Sequence, residues 1–181
     1  MAGIAIIGYG YWGPNLVRNF SSVANSRVEW VIDLRPERLD VIKKQYPNIK
    51  TSANLDDALN DPNVHAVVVA TPVKFHYALA KKALEKGKHV LIEKPMTQSS
   101  EEAEELVAIS KEKGLVLMVD HTFLYTGAVR KIKALIDSGE IGNIQYFDST
   151  RINLGLFQPD INVLWDLAPH DISILFFLSL L

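Results

Sequence analysis

Short apolar runs alternate along the chain with segments whose apolar positions recur every three or four residues. The runs Ile4-Ala5-Ile6-Ile7 and Val28-Glu29-Trp30-Val31-Ile32, and residues 64–71 around Ala66-Val67-Val68-Val69-Ala70, are apolar with little interruption. Such runs suit strands covered on both faces, the central strands of a parallel sheet. Between and after them, helical periodicity predicts helices over Pro36–Gln45, over Leu55–Leu59, closed by Asp61-Pro62, and over 75–86, ended by Gly87. Strands are predicted near 49–51, over 89–93 and over 115–119. Ser99 with Glu102 forms a capping-box signature for a further helix that stops at Gly114. Strands separated by helices, without hairpin signals, imply βαβ crossovers and a doubly wound α/β sheet.

The rhythm changes after Asp120. A helix is predicted over 126–138 and stops at Gly139, and a longer, partly alternating strand follows over 144–154. Turn-rich residues 155–162 lead to a last helix beginning near Asp166. Pro169 is tolerated only in the first turn of a helix, which would put Asp166 and His170 at the helix N-terminus. The expected division is residues 1–120 for the α/β domain and 121–181 for the start of an incomplete α+β domain.

Composition narrows the class. The 181 residues are 48% hydrophobic, enough for a packed core, and the net charge of −2 offers no electrostatic surface for nucleic acid. The absence of cysteine excludes disulfides and fits a reducing cytoplasm. The apolar start lacks a basic leader and reads as a first strand. The apolar run over 172–181 is half the length that a bilayer-spanning helix needs, so no membrane span is expected.

The chemistry begins at the turn Gly8-Tyr9-Gly10-Tyr11-Trp12-Gly13, which follows the first apolar run and enters a helix through Pro14. Gly8 permits the sharp reversal, Gly10 lets the backbone approach a pyrophosphate, and Gly13 lets helix and strand pack closely. The free N–H groups of the helix start then face the phosphates. Asp33 stands 20 residues after Gly13, at the end of the second apolar run, where a carboxylate accepts ribose hydroxyls. The spacing is that of a dinucleotide-binding fingerprint. Tyr11 and Trp12 either cover the pyrophosphate or pack the helix.

Three further residues are candidates for catalysis. Lys94, in Glu93-Lys94-Pro95, sits at the carboxyl end of a predicted strand, where ligands bind in α/β sheets. Asp166 and His170, four residues apart, share a helix face, and an acid beside an imidazole suits a general base. His76, beyond Thr71-Pro72, and His121 are candidate pocket residues, whereas His65 and His89 flank strands and read as structural. No His or carboxylate set has a recognised metal-ligand spacing, so no metal is expected.

The glycine turn, Ala70-Thr71-Pro72 with His76, Glu93-Lys94-Pro95, and Asp166-Leu167-Ala168-Pro169-His170-Asp171 together resemble the motif series of the glucose-fructose oxidoreductase and inositol dehydrogenase family, Gfo/Idh/MocA. The resemblance implies an NAD(P)-dependent oxidoreductase acting at a secondary alcohol of a sugar, polyol or nucleotide sugar. It assigns catalysis to Lys94, Asp166 and His170. It assigns the cofactor to Gly8, Gly10, Tyr11, Trp12, Gly13, Asp33, Arg35, Thr71, Pro72, His76, Glu93 and Lys94. NAD is expected over NADP because of Asp33, although Arg35 and Arg38 could turn toward a 2′-phosphate. Residues 151–171 are similar to members acting on nucleotide-linked sugars. Family members continue for about as long again, with a sheet that closes the substrate pocket and makes a homo-oligomer, so the chain resembles an amino-terminal half. The alternative is a noncatalytic nucleotide-binding or interaction module.

Overall fold

The computed structural model describes residues 1–152 and 161–179. The chain forms two compact units, Met1–Val119 and Asp120–Leu181. In the first, six strands form one sheet: β1 (Ala2–Ile7), β2 (Ser26–Ile32), β3 (Lys50–Ser52), β4 (Ala66–Val69), β5 (His89–Ile92) and β6 (Leu117–Val119). Every pairing is parallel, in the order β3-β2-β1-β4-β5-β6. The chain builds outward from β1 to one edge, then returns to lay β4 on the other side of β1. Ligands bind such sheets at the reversal, beyond the carboxyl ends of the strands.

Alternation along the strands supplies both faces of this sheet. Ala5, Ile7, Val67 and Val69 belong to one buried cluster, with Ala80 and Leu84 of α4 (His76–Glu85) and Leu106 of α5 (Ser100–Glu112). Ile4, Ile6 and Val68 belong to the other, with Leu16 and Val17 of the helix Gly13–Ser22, here α1, and Ile42 of the helix Pro36–Gln45, here α2. Each fully buried Val, Leu or Ile stabilises the fold by about 1.5–3 kcal/mol relative to exposure. The short α3 spans Leu55–Leu59 and is capped by Asn54, whose side chain accepts from the Asp56 N–H at 3.1 Å.

The predicted doubly wound parallel sheet is therefore present, with element ends shifted by up to two residues. The capping box forms with a difference. Ser99 Oγ accepts from the Glu102 N–H at 3.3 Å, while the Glu102 carboxylate reaches back to the Gln98 N–H at 3.1 Å, one residue before the cap.

The second unit, taken by itself, contains a 3-10 turn over Thr122–Tyr125, α6 (Gly127–Asp137) and α7 (Val163–Ser179). Two expectations are corrected here. Residues 144–152 are not a strand, and the last two residues of the predicted strand, 153 and 154, lie outside the described residues. A strand needs a lateral partner for its N–H and C=O groups. Among its described residues the second unit has no strand to provide one. The last helix starts at Val163 rather than near Asp166, so Pro169 lies inside it. Asn162 supplies the start: its Oδ1 accepts from the Trp165 N–H at 2.9 Å and its carbonyl accepts from the Asp166 N–H at 3.0 Å. That cap sets the helix start about a turn upstream and leaves Pro169 in the interior, where a proline costs about 3 kcal/mol. Among the described residues, no helix is long and apolar enough to cross a membrane.

Candidate functional site

The glycine turn leaves β1 at the switch point, between the ends of β2 and β4. Gly8 has φ +96°, and a Cβ there would stand 2.4 Å from the Ala70 carbonyl oxygen, so neither the conformation nor the space admits a side chain. A Cβ on Gly13 would stand 2.7 Å from the Gly8 carbonyl oxygen, which fixes how closely α1 packs on the turn. Gly10 differs from both: a Cβ there meets only Arg35 Nη2, at 3.9 Å. The space over Gly10 is open. Trp12 occupies the cap position of α1 without a side-chain capping bond, and Pro14 falls at the second helical position rather than the first. Pro14 has no N–H and the Asn15 N–H donates to the Trp12 carbonyl at 2.9 Å, so within the first turn it is the Gly13 N–H that is left to an anion. An open cradle over Gly10 beside an uncapped helix start fits a pyrophosphate.

The aromatic residues of the turn divide. Tyr9 is buried in the core under the turn, whereas Tyr11 and Trp12 are 77% and 48% exposed and meet edge to face with centroids 5.7 Å apart. The exposed pair lies on the outside of the turn, not in helix packing.

Asp33, one residue beyond β2, is only 7% exposed. Its Oδ2 accepts from the Tyr9 N–H at 2.7 Å and from Arg35 Nη2 at 2.8 Å. Its Oδ1 accepts from the Arg35 backbone N–H and from Arg35 Nε, both at 2.9 Å. Burial opposes the charged form, but the Arg35 side-chain and backbone bonds and the Tyr9 bond outweigh it and hold the carboxyl below its ordinary pKa. Asp33 is therefore a carboxylate, and one whose acceptor positions are engaged by Arg35.

Beyond β4 and β5, His76 is 1% exposed, with Nε2 2.7 Å from the Thr71 carbonyl oxygen and Nδ1 2.9 Å from that of Pro95. Its ring is turned into the protein between two loops rather than out to a pocket. Glu93 and Lys94 are half-buried, Pro72 is exposed, and the Lys94–Pro95 peptide is cis. His65 Nδ1 accepts from the Gly3 N–H and His89 Nδ1 from the Val116 N–H, each at 3.0 Å, so both brace the sheet as expected of structural histidines.

In the second unit, Asp166 is half-buried and His170 is buried one turn further along α7. The His170 ring meets the Phe123 ring edge to face, with centroids 4.7 Å apart. The Arg151 guanidinium lies over Phe123 at 4.9 Å, and its Nε donates to Asp171 Oδ2 at 2.6 Å, while Ser149 Oγ donates to Oδ1 at 2.7 Å. Burial acts to raise the Asp171 pKa, but Arg151, Ser149 and neighbouring His170 bring it below the ordinary value. His121 is held low by desolvation, which Asp120 only partly offsets, and its Nδ1 is buried without a hydrogen-bond partner. The framing of His170 by Phe123, and of Asp171 by Arg151, carries no sequence signal. The only cue was the adjacency of Asp171 to His170.

The sheet order, the glycine turn at its switch point and the acid closing β2 define a dinucleotide-binding α/β domain. Residues 2–121 match the profile of the oxidoreductase family with NAD-binding Rossmann fold, Gfo/Idh/MocA, and the chain belongs to that family. It is 31% identical over 179 residues to the uncharacterized oxidoreductase YdgJ of Escherichia coli (strain K12), covering 92% of the chain and 50% of YdgJ. It is 29% identical over 163 residues to scyllo-inositol 2-dehydrogenase (NADP(+)) IolW of Bacillus subtilis (strain 168), covering 90% of the chain and 44% of IolW. An NAD-binding protein from Listeria innocua superposes with a TM-score of 0.88 at 27% identity, over 98% of the chain and 55% of that protein. The chain thus spans about half the length of the curated relatives it matches.

Proposed function

We propose that the chain binds NAD at the glycine turn and serves an oxidoreductase acting on a secondary alcohol of a sugar or polyol, nucleotide sugars included. The observation that carries this reading is the open space over Gly10, set between the uncapped start of α1 and the Asp33 carboxylate. Tyr11 and Trp12 flank the same turn and form the outer wall for the cofactor. Thr71, Pro72 and Glu93 lie on loops at the same ends of the sheet, where the nicotinamide half would extend.

The bound nicotinamide would supply the hydride acceptor or donor. In the oxidative direction the Lys94 ammonium would donate to the substrate hydroxyl oxygen, and His170 would take its proton as the carbonyl forms and the C–H electron pair leaves as hydride. Asp166 would orient the imidazole. In reduction His170 returns that proton to the oxygen, and Lys94 eases the developing negative charge.

NAD is favoured over NADP on the strength of Asp33. A 2′-phosphate would meet a buried, ionised carboxylate of like sign, whereas ribose hydroxyls would donate to it. Arg35 must first release the carboxylate. The NADP(+) in the name of IolW belongs to that relative, and Arg35 is the residue through which this chain would accommodate the phosphate. Partners are a small sugar-type substrate and further copies of the chain. The cysteine-free sequence fits the cytoplasm.

Calorimetric titration with NAD and NADP, followed by nicotinamide absorbance with inositols, free sugars and nucleotide sugars, tests the reading. Binding of NAD with turnover of one of these classes is the expected result. Binding without turnover of any class would return the chain to a noncatalytic nucleotide-binding module, and no binding would remove the reading altogether.

A further inference from the structure

We propose that His76 is a positioning residue for Lys94, a strut that takes over where the sheet ladder between β4 and β5 ends. That ladder closes with the Glu93 N–H donating to the Val69 carbonyl at 3.0 Å. Beyond it the chains part, one turning through Thr71 and Pro72 into a 3-10 turn over Val73–Phe75, the other continuing through Lys94 and Pro95. His76 opens α4 and reaches back between them, its two ring nitrogens 2.7 Å from the Thr71 oxygen and 2.9 Å from the Pro95 oxygen.

The geometry reaches Lys94 through the backbone. Proline fixes its own φ near −65°, so once His76 pins the Pro95 carbonyl, little freedom remains in the Lys94–Pro95 peptide plane. On its other side, Lys94 follows Glu93, itself held by the ladder. The lysine therefore springs from a backbone anchored at both ends, and the torsions left to it are mostly those of its side chain. Both partners of the ring are carbonyl oxygens, which only accept. A neutral imidazole serves one of them with an N–H, and the cation serves both. Phenylalanine would fill the space without serving either. This rests on the reading that Lys94 meets the substrate oxygen, but the strut itself can be observed without turnover.

The experiment uses the full chain with lysines reductively methylated with a carbon-13 label, the Lys94 signal being assigned by its loss in Lys94→Arg. His76→Phe removes the imidazole donor between the Thr71 and Pro95 carbonyls and can unfold the chain, so His76→Gln, whose amide can donate at one of them, is measured beside it. In a folded variant the Lys94 signal should move toward that of a free lysine, further for Phe than for Gln. Where turnover is measurable, kcat should fall roughly tenfold to a hundredfold with KM little altered, as for a reacting group displaced by about 1 Å. A lowered melting midpoint with the Lys94 signal unmoved would overturn the proposal, because a merely structural histidine gives that result. A moved signal with undiminished kcat would uphold the strut and remove Lys94 from the chemistry.

Discussion

The Arg35 guanidinium chelates the Asp33 carboxylate, with Nε 2.9 Å from Oδ1 and Nη2 2.8 Å from Oδ2. A ribose bound at Asp33, as proposed, would compete with Arg35 for the same two oxygens. Arg35→Ala should tighten NAD binding severalfold and weaken NADP binding by about tenfold, which corresponds to about 1.4 kcal/mol. Paired titrations with the two cofactors check this. A variant that weakens both alike would show that Arg35 does not discriminate at the 2′ position.

Asp33 also couples the site to acid stability. Its folded pKa lies below the ordinary value of 3.8, so its ionised form contributes stability that is fully present above that value. The contribution is lost as the pH falls through the lower folded pKa. Asp33→Asn should accordingly lose stability near pH 7 and show a flatter decline below about pH 4 than the parent chain. Thermal melts between pH 7 and pH 2 measure both changes.

Gly10 and Gly13 should respond in opposite ways. Gly10→Val places a branched side chain in open space, so it should abolish cofactor binding with little change in melting temperature. Gly13→Ala drives a Cβ to 2.7 Å from the Gly8 carbonyl and should destabilise the fold by about 1–3 kcal/mol. Calorimetry and thermal melts on the two variants separate a site glycine from a packing glycine. Binding at full strength in a folded Gly10→Val protein would place the cofactor elsewhere.

The pair Arg151 and Asp171 should be worth measuring despite its partial exposure. Their side chains are 26% and 23% exposed, and Arg151 also covers Phe123, which packs on His170. Arg151→Met should cost on the order of 1–2 kcal/mol, allowing for solvent screening. It should also shift the His170 ring signals in a carbon–proton spectrum, because the Phe123 ring that shields them loses its cover. Unchanged His170 signals would dissociate the ion pair from the histidine.

The second unit exposes large apolar side chains, among them Tyr125, Tyr146, Ile152, Leu164 and Phe176. Exposure of that kind drives association. The chain should elute as more than a monomer in size exclusion coupled to light scattering, and Tyr146→Lys with Ile152→Lys should shift it toward the monomer. Turnover by the chain alone should be weak, since it spans about half the length of the curated relatives it matches. A clean monomer with vigorous turnover would contradict both expectations.

The sheet was legible because its strands are apolar on both faces, and the turn because Gly8 and Gly13 meet steric demands that only glycine satisfies. Residues 144–152 misled because alternation reports a strand's faces and says nothing of its lateral partner. Pro169 misled for a different reason: the rule that confines proline to the first turn is energetic, and the Asn162 cap three residues upstream of Trp165 displaced the helix start. The Arg35 chelate required only an arginine two residues past an acid, which sequence spacing does not distinguish from a solvated charge. His76 was visible as a residue near a strand end, but its inward direction depends on the Pro95 carbonyl, nineteen residues away.

The strand order has a kinetic side. β1 pairs with β2 over a short span, Ala2 against Ser26, but with β4 over a long one, Ile4 against Ala66. Pairings that close long loops form slowly, because the entropy of closure is lost before the contacts are gained. The cleft at Gly8, whose far wall is the Ala70 carbonyl, cannot be complete until β4 has docked. During synthesis and refolding, competence to hold a nucleotide should thus lag behind the first helical and β1–β2 structure, and a cofactor in the medium would select the late, correctly closed sheet rather than template the early one.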